Sequence, residues 1–265
     1  MSKAVNPEAL LDLAMRGARA AGIELMNRYG HIQGLNSKTS ATDPVSDADR
    51  AAEAILVDLI IGERPDDGLL GEEGAAREST SGIRWVIDPL DGTVNYLYQL
   101  DNFSVSVAAE DGDGALVGVV YNPTNRRAYH AIRGAGAAVD GSPLRVNDPV
   151  PLNRALIATG FGYSAERRRT QGALIAELLP KVRDIRRIGS AALDLCTVAA
   201  GAVDGYFEEG VKHWDVAAGA LIAKEAGAKY TEFTPTGAES GCLAAGPALF
   251  KELHATLRRV RSDAR

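Results

Sequence analysis

The stretch Arg84-Trp85-Val86-Ile87-Asp88-Pro89-Leu90-Asp91-Gly92-Thr93-Val94-Asn95-Tyr96 carries most of the reading. Arg84 to Asp88 is a β-prone run that ends in a carboxylate. Pro89 fixes its own φ, and Gly92 can bend the chain where other residues cannot. A short rigid loop there would aim Asp88 and Asp91 at one point, with the Leu90 carbonyl between them. Thr93 stands at a helix start. The N–H groups of Gly92 and Thr93 would point outward there and suit an anion such as phosphate. An isolated Asp-Pro-x-Asp-Gly is more often an ordinary turn with solvated acids. The apolar run ahead and Thr93-x-Asn95-Tyr96 behind make this segment more specific.

Other acids fall in similar places. Leu69-Leu70-Gly71-Glu72-Glu73 reads as a short strand ending in acid, and Asp215 follows Trp214 where a helix begins. Strand ends and helix starts are rigid mounts for a ligand. Oxygen donors without accompanying His or Cys favour magnesium, manganese or calcium over zinc.

Outward from these acids, periodicity predicts a helix over 7–29, with Leu11, Met15, Ala18, Gly22, Leu25 and Tyr29 on one face. A polar stretch runs from His31 to Val45. A second helix runs from Ser46 or Asp47 to Ile61, its stripe formed by Ala51, Ile55 and Leu59. Ser104–Val107 and Ala115–Tyr121 form a hairpin about Asp111–Gly114, and Ala128–Ile132 adds a strand. Gly134–Gly136 and Asp140–Pro143 read as turns. Strands and helices then alternate: a strand at Ala155–Thr159, a helix near 165–179, a strand near 184–188 and a helix opening at Gly189-Ser190. Val203–Phe207 is a strand, Asp215 to Ala226 a helix, Leu243–Ala245 a strand and 247–260 a helix. The expected division is an N-terminal α+β half over 1–150 and a C-terminal α/β half over 151–265.

The composition sets bounds. The 265 residues are 46% hydrophobic, enough for a sizeable core, and the formal net charge is −6. An acidic chain is a poor default for nucleic-acid binding, and the arginines at 167–169 and 183–187 read first as a solvated face. Cys196 and Cys242 offer neither a disulfide framework nor a zinc spacing. No apolar run approaches a membrane span, and no signal peptide is evident, so a cytoplasmic setting is expected.

Four ordered segments resemble the inositol monophosphatase family. They are Trp85 to Tyr96; Trp214-Asp215-Val216-Ala217-Ala218-Gly219-Ala220 with Glu225-Ala226-Gly227; Gly71-Glu72-Glu73; and Val45-Ser46-Asp47-Ala48-Asp49. The resemblance covers roughly residues 8 to 260 and implies an α+β fold, a layered α/β/α/β/α sandwich shared with fructose-1,6-bisphosphatase. It implies two or three magnesium ions, with manganese a possible substitute, held by Glu72, Asp88, the Leu90 carbonyl, Asp91 and Asp215. Glu72 and Thr93 would position or activate the attacking water, with Asp49 accepting a hydrogen bond from Thr93. Leu90, Gly92, Thr93, Gly189, Ser190, Ala191 and Glu208 would contact substrate, and Lys38 and Glu73 are further possibilities. Glu208 is preferred to Glu209 because it stands seven residues before Asp215. His213 reads as packing rather than as a base. Val94 replaces a threonine common in the family, though valine also occurs in bacterial members. Lithium sensitivity and a homodimer are implied too. The expected substrate is a small phosphate monoester, myo-inositol 1-phosphate first and histidinol phosphate second, then other sugar or nucleotide phosphates. Some bacterial relatives interact with the transcription machinery, a non-enzymatic alternative.

Overall fold

The computed structural model describes residues 5–30, 36–37, 44–45, 47–234 and 240–263. Seven helices are described: α1 (Pro7–Arg28), α2 (Asp47–Glu63), α3 (Thr93–Leu97), α4 (Ala165–Leu178), α5 (Ala191–Ala199), α6 (His213–Glu225) and α7 (Pro247–Asp263). The strands β1 (Asn36–Ser37) and β2 (Pro44–Val45) pair only with each other. An eight-stranded sheet takes β3 (Gly68–Gly71), β4 (Ala76–Arg77), β5 (Arg84–Asp91), β6 (Ser104–Asp111), β7 (Gly114–Asn122), β8 (Arg127–Ile132), β9 (Gly136–Val139) and β10 (Ser142–Pro143), in the order β10-β9-β8-β7-β6-β5-β3-β4. A five-stranded sheet takes β11 (Leu156–Thr159), β12 (Asp184–Arg186), β13 (Gly205–Glu209), β14 (Lys229–Phe233) and β15 (Gly241–Ala245), in the order β12-β11-β13-β15-β14.

Side-chain alternation builds the layers. On the larger sheet, Trp85, Ile87, Val105, Val107, Val117 and Val119 pack on α1 and α2. Their neighbours Val86, Ala108 and Val120 face α5 and α6 on the other side. The smaller sheet covers α5 and α6 with Ala158, Tyr206, Cys242 and Ala244. Its far face turns Ile157, Phe207 and Leu243 toward α4 and α7. The order is therefore helices, sheet, helices, sheet, helices, as the α/β/α/β/α expectation had it. Gly118 makes one of these contacts possible: a Cβ there would stand 2.9 Å from the Ala218 carbonyl oxygen of α6.

Several expectations shift. The buried face of α1 centres on Leu10, Leu13, Ala14, Ala18, Ala21 and Leu25, leaving Leu11 and Met15 at its margin. In α2 the buried stripe is Ala48, Ala52, Leu56 and Ile60, with Asp49 and Glu53 buried beside them. Hydrophobic periodicity treats acids as outward-facing and so rotated this helix. The expected loop at Asp88–Asp91 is instead the end of β5, whose register with β6 shifts between Asp88 and Asp91. A bulge suits Pro89, which has no N–H to give a ladder. β10 falls on the Asp140–Pro143 segment read as a turn, β9 lies between the two expected turns, and β14 has no counterpart among the expected strands.

Candidate metal centre and substrate pocket

Asp88 shares a strand face with Val86 and so points toward α6; it is 1% exposed. Its Oδ1 accepts the Leu90 N–H at 3.0 Å, which folds the strand end back on itself. Asp91 reaches the start of α5, accepting from the Ser190 hydroxyl (2.5 Å), the Ala192 N–H (2.8 Å) and the Ala191 N–H (3.2 Å). Asp215 is the third residue of α6 and accepts the Lys212 N–H at 2.6 Å. Glu72 follows β3, its N–H donating to the Ile87 carbonyl of β5 (3.3 Å). Asp49 comes from the buried face of α2, and carboxylate oxygens of Asp49, Glu72 and Glu73 lie within 4.8 Å of one another.

Electrostatics joins these acids into one group. Burial pushes the Asp88 carboxyl well above the usual carboxylate range; Glu72, Asp91, Asp215 and Asp49 push it further. Asp215 is raised by burial, then by Asp91, and also by Glu72 and Glu208. Asp91 is raised to about 6, because burial outweighs its three hydrogen bonds. The donors are hard oxygens with more negative charge than the site can hold alone. That chemistry fits divalent magnesium or manganese.

Beside the acids, Glu208 lies on the face of β13 that Tyr206 turns toward α5. The Tyr206 hydroxyl donates to Glu208 Oε2 at 2.9 Å. Burial lifts the Glu208 carboxyl to about 7; Asp91 also raises it, while Tyr206 and Arg187 oppose the rise. Gly160 makes room: a Cβ there would come within 1.9 Å of Glu208 Oε2. Glu209 alternates to the opposite face, and its carbonyl accepts from Gln171 of α4. The strand thus places Glu208, not Glu209, with the acids.

Three further placements refine the expectations. The Ser190 side chain is engaged internally: it donates to Asp91, accepts the Leu193 N–H (3.2 Å) and is 1% exposed. It therefore holds the acid rather than lining an open pocket. The Thr93 hydroxyl donates to the Leu90 carbonyl at 3.2 Å, not to Asp49 as expected. His213 sits against Glu110 (2.8 Å), which also accepts from Arg84, so it is a rim contact rather than a base facing the acids. Lys38 and Ser46 fall outside the described residues.

Sequence reasoning quoted Asn95 but gave it no task. Its Nδ2 donates to the carbonyls of Asn102 (2.6 Å) and Ile188 (2.8 Å), tying α3 to the segment before α5. The two segments touch at Gly92, whose φ of +95° favours glycine. A Cβ there would also lie 3.2 Å from the Gly189 carbonyl oxygen. Asn95→Ala is expected to cost about 2 kcal/mol, because both carbonyls lose a buried donor. A lower denaturant midpoint with unchanged slope would register it.

A five-layer α+β fold thus gathers carboxylates at the ends of β3 and β5 and near the starts of α2 and α6. The sequence model of the inositol monophosphatase family matches residues 6–262, and the chain belongs to that family. It is 42% identical to the inositol-1-monophosphatase SuhB of Mycobacterium tuberculosis H37Rv, over 97% of this chain and 93% of that protein. It is 41% identical to the Nus factor SuhB of Pasteurella multocida, over 98% of each. The crystal structure of the extragenic suppressor protein suhB from Bartonella henselae superposes with a TM-score of 0.87 at 34% identity, covering 94% of this chain and 98% of that one. Among the described residues no helix is long and apolar enough to cross a membrane.

Proposed function

We propose that this chain is a magnesium-dependent phosphomonoesterase whose substrate is myo-inositol 1-phosphate. The observation that carries the reading is the single electrostatic cluster of Glu72, Asp88, Asp91 and Asp215, with Glu208 at its edge. When bound, two or three magnesium ions supply Lewis acidity, making water nucleophilic near neutral pH and offsetting charge on the phosphate and the leaving oxygen. Glu72, Asp88, the Leu90 carbonyl, Asp91 and Asp215 would hold the ions, with Asp88 shared between two of them. Glu72 and Thr93 orient the attacking water, Asp49 and Glu73 border that side, and the N–H groups of Gly92 and Thr93 hold phosphate oxygens. Glu208 accepts hydrogen bonds from the polyol hydroxyls, and Gly189 and Ala191 bound the pocket. The reading includes a cytoplasmic homodimer, lithium inhibition, and a boundary near residue 150 between two halves that meet at the site.

The test is a substrate panel with magnesium and phosphate detection: inositol 1-phosphate, histidinol phosphate, fructose 1,6-bisphosphate, adenosine 3′,5′-bisphosphate and NADP. Turnover of none of them rejects the activity; preference for histidinol phosphate rejects only the alcohol. Glu208→Gln is expected to raise KM for inositol 1-phosphate by roughly 10-fold, the worth of a hydrogen bond to a charged group. It should barely affect p-nitrophenyl phosphate, which has no hydroxyls to bind. Glu209→Gln should change neither, and equal effects from both variants would remove Glu208 from the pocket.

A second reading has support in the relative named as a Nus factor and in exposed Arg168, Arg169, Arg183 and Arg187. On it, the chain also binds the transcription machinery. Pull-down of RNA polymerase unaffected by Asp91→Asn would favour that role. Loss of the cellular phenotype in the same variant would favour the enzyme.

A further inference from the structure

Glu53 is a buried acid that the reaction leaves unused. It lies one helical turn after Asp49 on α2, so both side chains leave the same face. It is 7% exposed. Its carboxylate spans a turn of backbone: Oε2 accepts the Glu73 N–H at 2.9 Å and Oε1 accepts the Ala75 N–H at 3.0 Å. The same turn is closed by the Gly71 N–H donating to the Ala75 carbonyl (2.7 Å). Gly71 itself lies against the carboxylate, where a Cβ would stand 2.4 Å from Glu53 Oε2. Glu53, placed as it is, therefore requires glycine at 71.

Stability alone would not choose this arrangement. Burial disfavours the charged carboxylate, the Glu73 and Ala75 N–H groups offset only part of that, and the charges of Glu73 and Glu72 add to the cost. A neutral acceptor could take a backbone N–H at smaller electrostatic cost. A side chain that breaks the local rule belongs where geometry matters most. The turn that it holds carries Glu72 and Glu73, whose carboxylates gather with Asp49. One face of α2 thus supplies one acid to the cluster and clamps the backbone that supplies two more.

We propose that Glu53 is a positioning residue: by holding the N–H groups of Glu73 and Ala75, it sets where the Glu72 carboxylate stands relative to Asp49 and Asp88. The consequence for catalysis rests on the phosphatase reading; the positioning itself does not. A charge-assisted clamp on backbone is stronger than a neutral one and leaves the turn fewer alternatives. Its loss would spread Glu72 over several positions, which weakens both ion binding and the aim of the water.

The full chain and its Glu53→Gln variant would be compared in three ways. Hydrogen exchange of the metal-free proteins should show the Glu73 and Ala75 amides exchanging at least about 10-fold faster in the variant, with β5 unchanged. Manganese titration should show affinity weakened roughly 10–100-fold, the range for outer partners of a metal site. Turnover should fall through kcat, with KM for the substrate little moved. Leu249→Ala, in the outermost helix layer, is the control: it should lower Tm and leave manganese affinity alone. Gly71→Ala presses on the same carboxylate from the other side and should reproduce the manganese and exchange effects, so it serves if Glu53→Gln does not fold. Unchanged exchange at Glu73 and Ala75 overturns the proposal whatever the activity, and so does wild-type manganese affinity in a variant whose turn has loosened. A wild-type chain that binds no manganese and hydrolyses no phosphate ester rejects the phosphatase reading, while the exchange result still judges the clamp.

Discussion

Asp91→Asn should lower kcat/KM for phosphate-ester hydrolysis with magnesium by about 10³-fold or more, while the protein stays folded. The loss follows from the size of the term removed. A metal ion contributes several kcal/mol of charge stabilisation in the transition state, and about 4 kcal/mol corresponds to 10³-fold. The stability side has two opposed effects. Asp91 caps α5 through the Ser190 hydroxyl and the Ala191 and Ala192 N–H groups, and Asn would weaken that cap. Yet the carboxyl sits near pKa 6 in spite of those bonds, so burial outweighs them. Neutralising the position relieves that cost. The metal-free variant should therefore melt no lower than the metal-free parent at pH 8, and added magnesium should raise its Tm less. Near-normal turnover in this variant would remove Asp91 from the centre. A fall in Tm of more than about 10 °C would show that capping, not charge burial, dominates there.

The metal-free protein should lose stability as pH rises from 5.5 to 8, and magnesium should return it. Glu208 at about 7 and Asp91 at about 6 are both raised above ordinary carboxyl values, as are Asp88 and Asp215. An acid with a raised folded pKa stabilises the fold below its unfolded value, near 4, and that contribution is lost as pH rises through the folded value. Lowered groups such as Glu110 and Asp111 act oppositely, but their window lies below the unfolded value. For Glu208 the part of the loss that falls between pH 5.5 and 8 is on the order of 2 kcal/mol, which suggests a Tm drop of roughly 4–8 °C. Because ions compete with protons for these oxygens, magnesium should raise Tm more at pH 8 than at pH 5.5. Thermal melts at both pH values, with and without magnesium, would decide it. A flat metal-free profile would mean that these acids are hydrated rather than buried.

Legibility from the sequence varied with the kind of information each element needed. Asp88, Asp91, Glu72 and Asp215 stood out because each acid terminates an apolar run or opens a helix, a local pattern. Spacing favoured Glu208 over Glu209, but what puts Glu208 on the side of the acids is strand alternation with Tyr206 and Phe207, which spacing could not supply. Glu53 was invisible. Its partners are backbone N–H groups about twenty residues away, and nothing in a helical sequence distinguishes an inward acid from a solvated one. Ser190 was placed in the pocket by the family resemblance, and no local pattern shows that its hydroxyl donates to Asp91, a hundred or so residues earlier. The five layers themselves were legible only through family resemblance; strands as short as Ala76–Arg77, or as half-exposed as Lys229–Phe233, leave little periodicity to read.

The stacking order has a consequence for synthesis. Asp49 hangs from the first helix layer, Glu72, Asp88 and Asp91 belong to the large sheet, and Asp215 belongs to the helix layer trapped between the sheets. A ribosome that has released the large sheet has delivered four of these acids, uncovered and mutually repelling, well before the fifth emerges. On the proposed reading, capture of the full set of ions would wait for the chain's later half, and contacts between residues so far apart in sequence close slowly. Full metal occupancy would then report completion: a molecule holding every ion would have assembled its innermost layer.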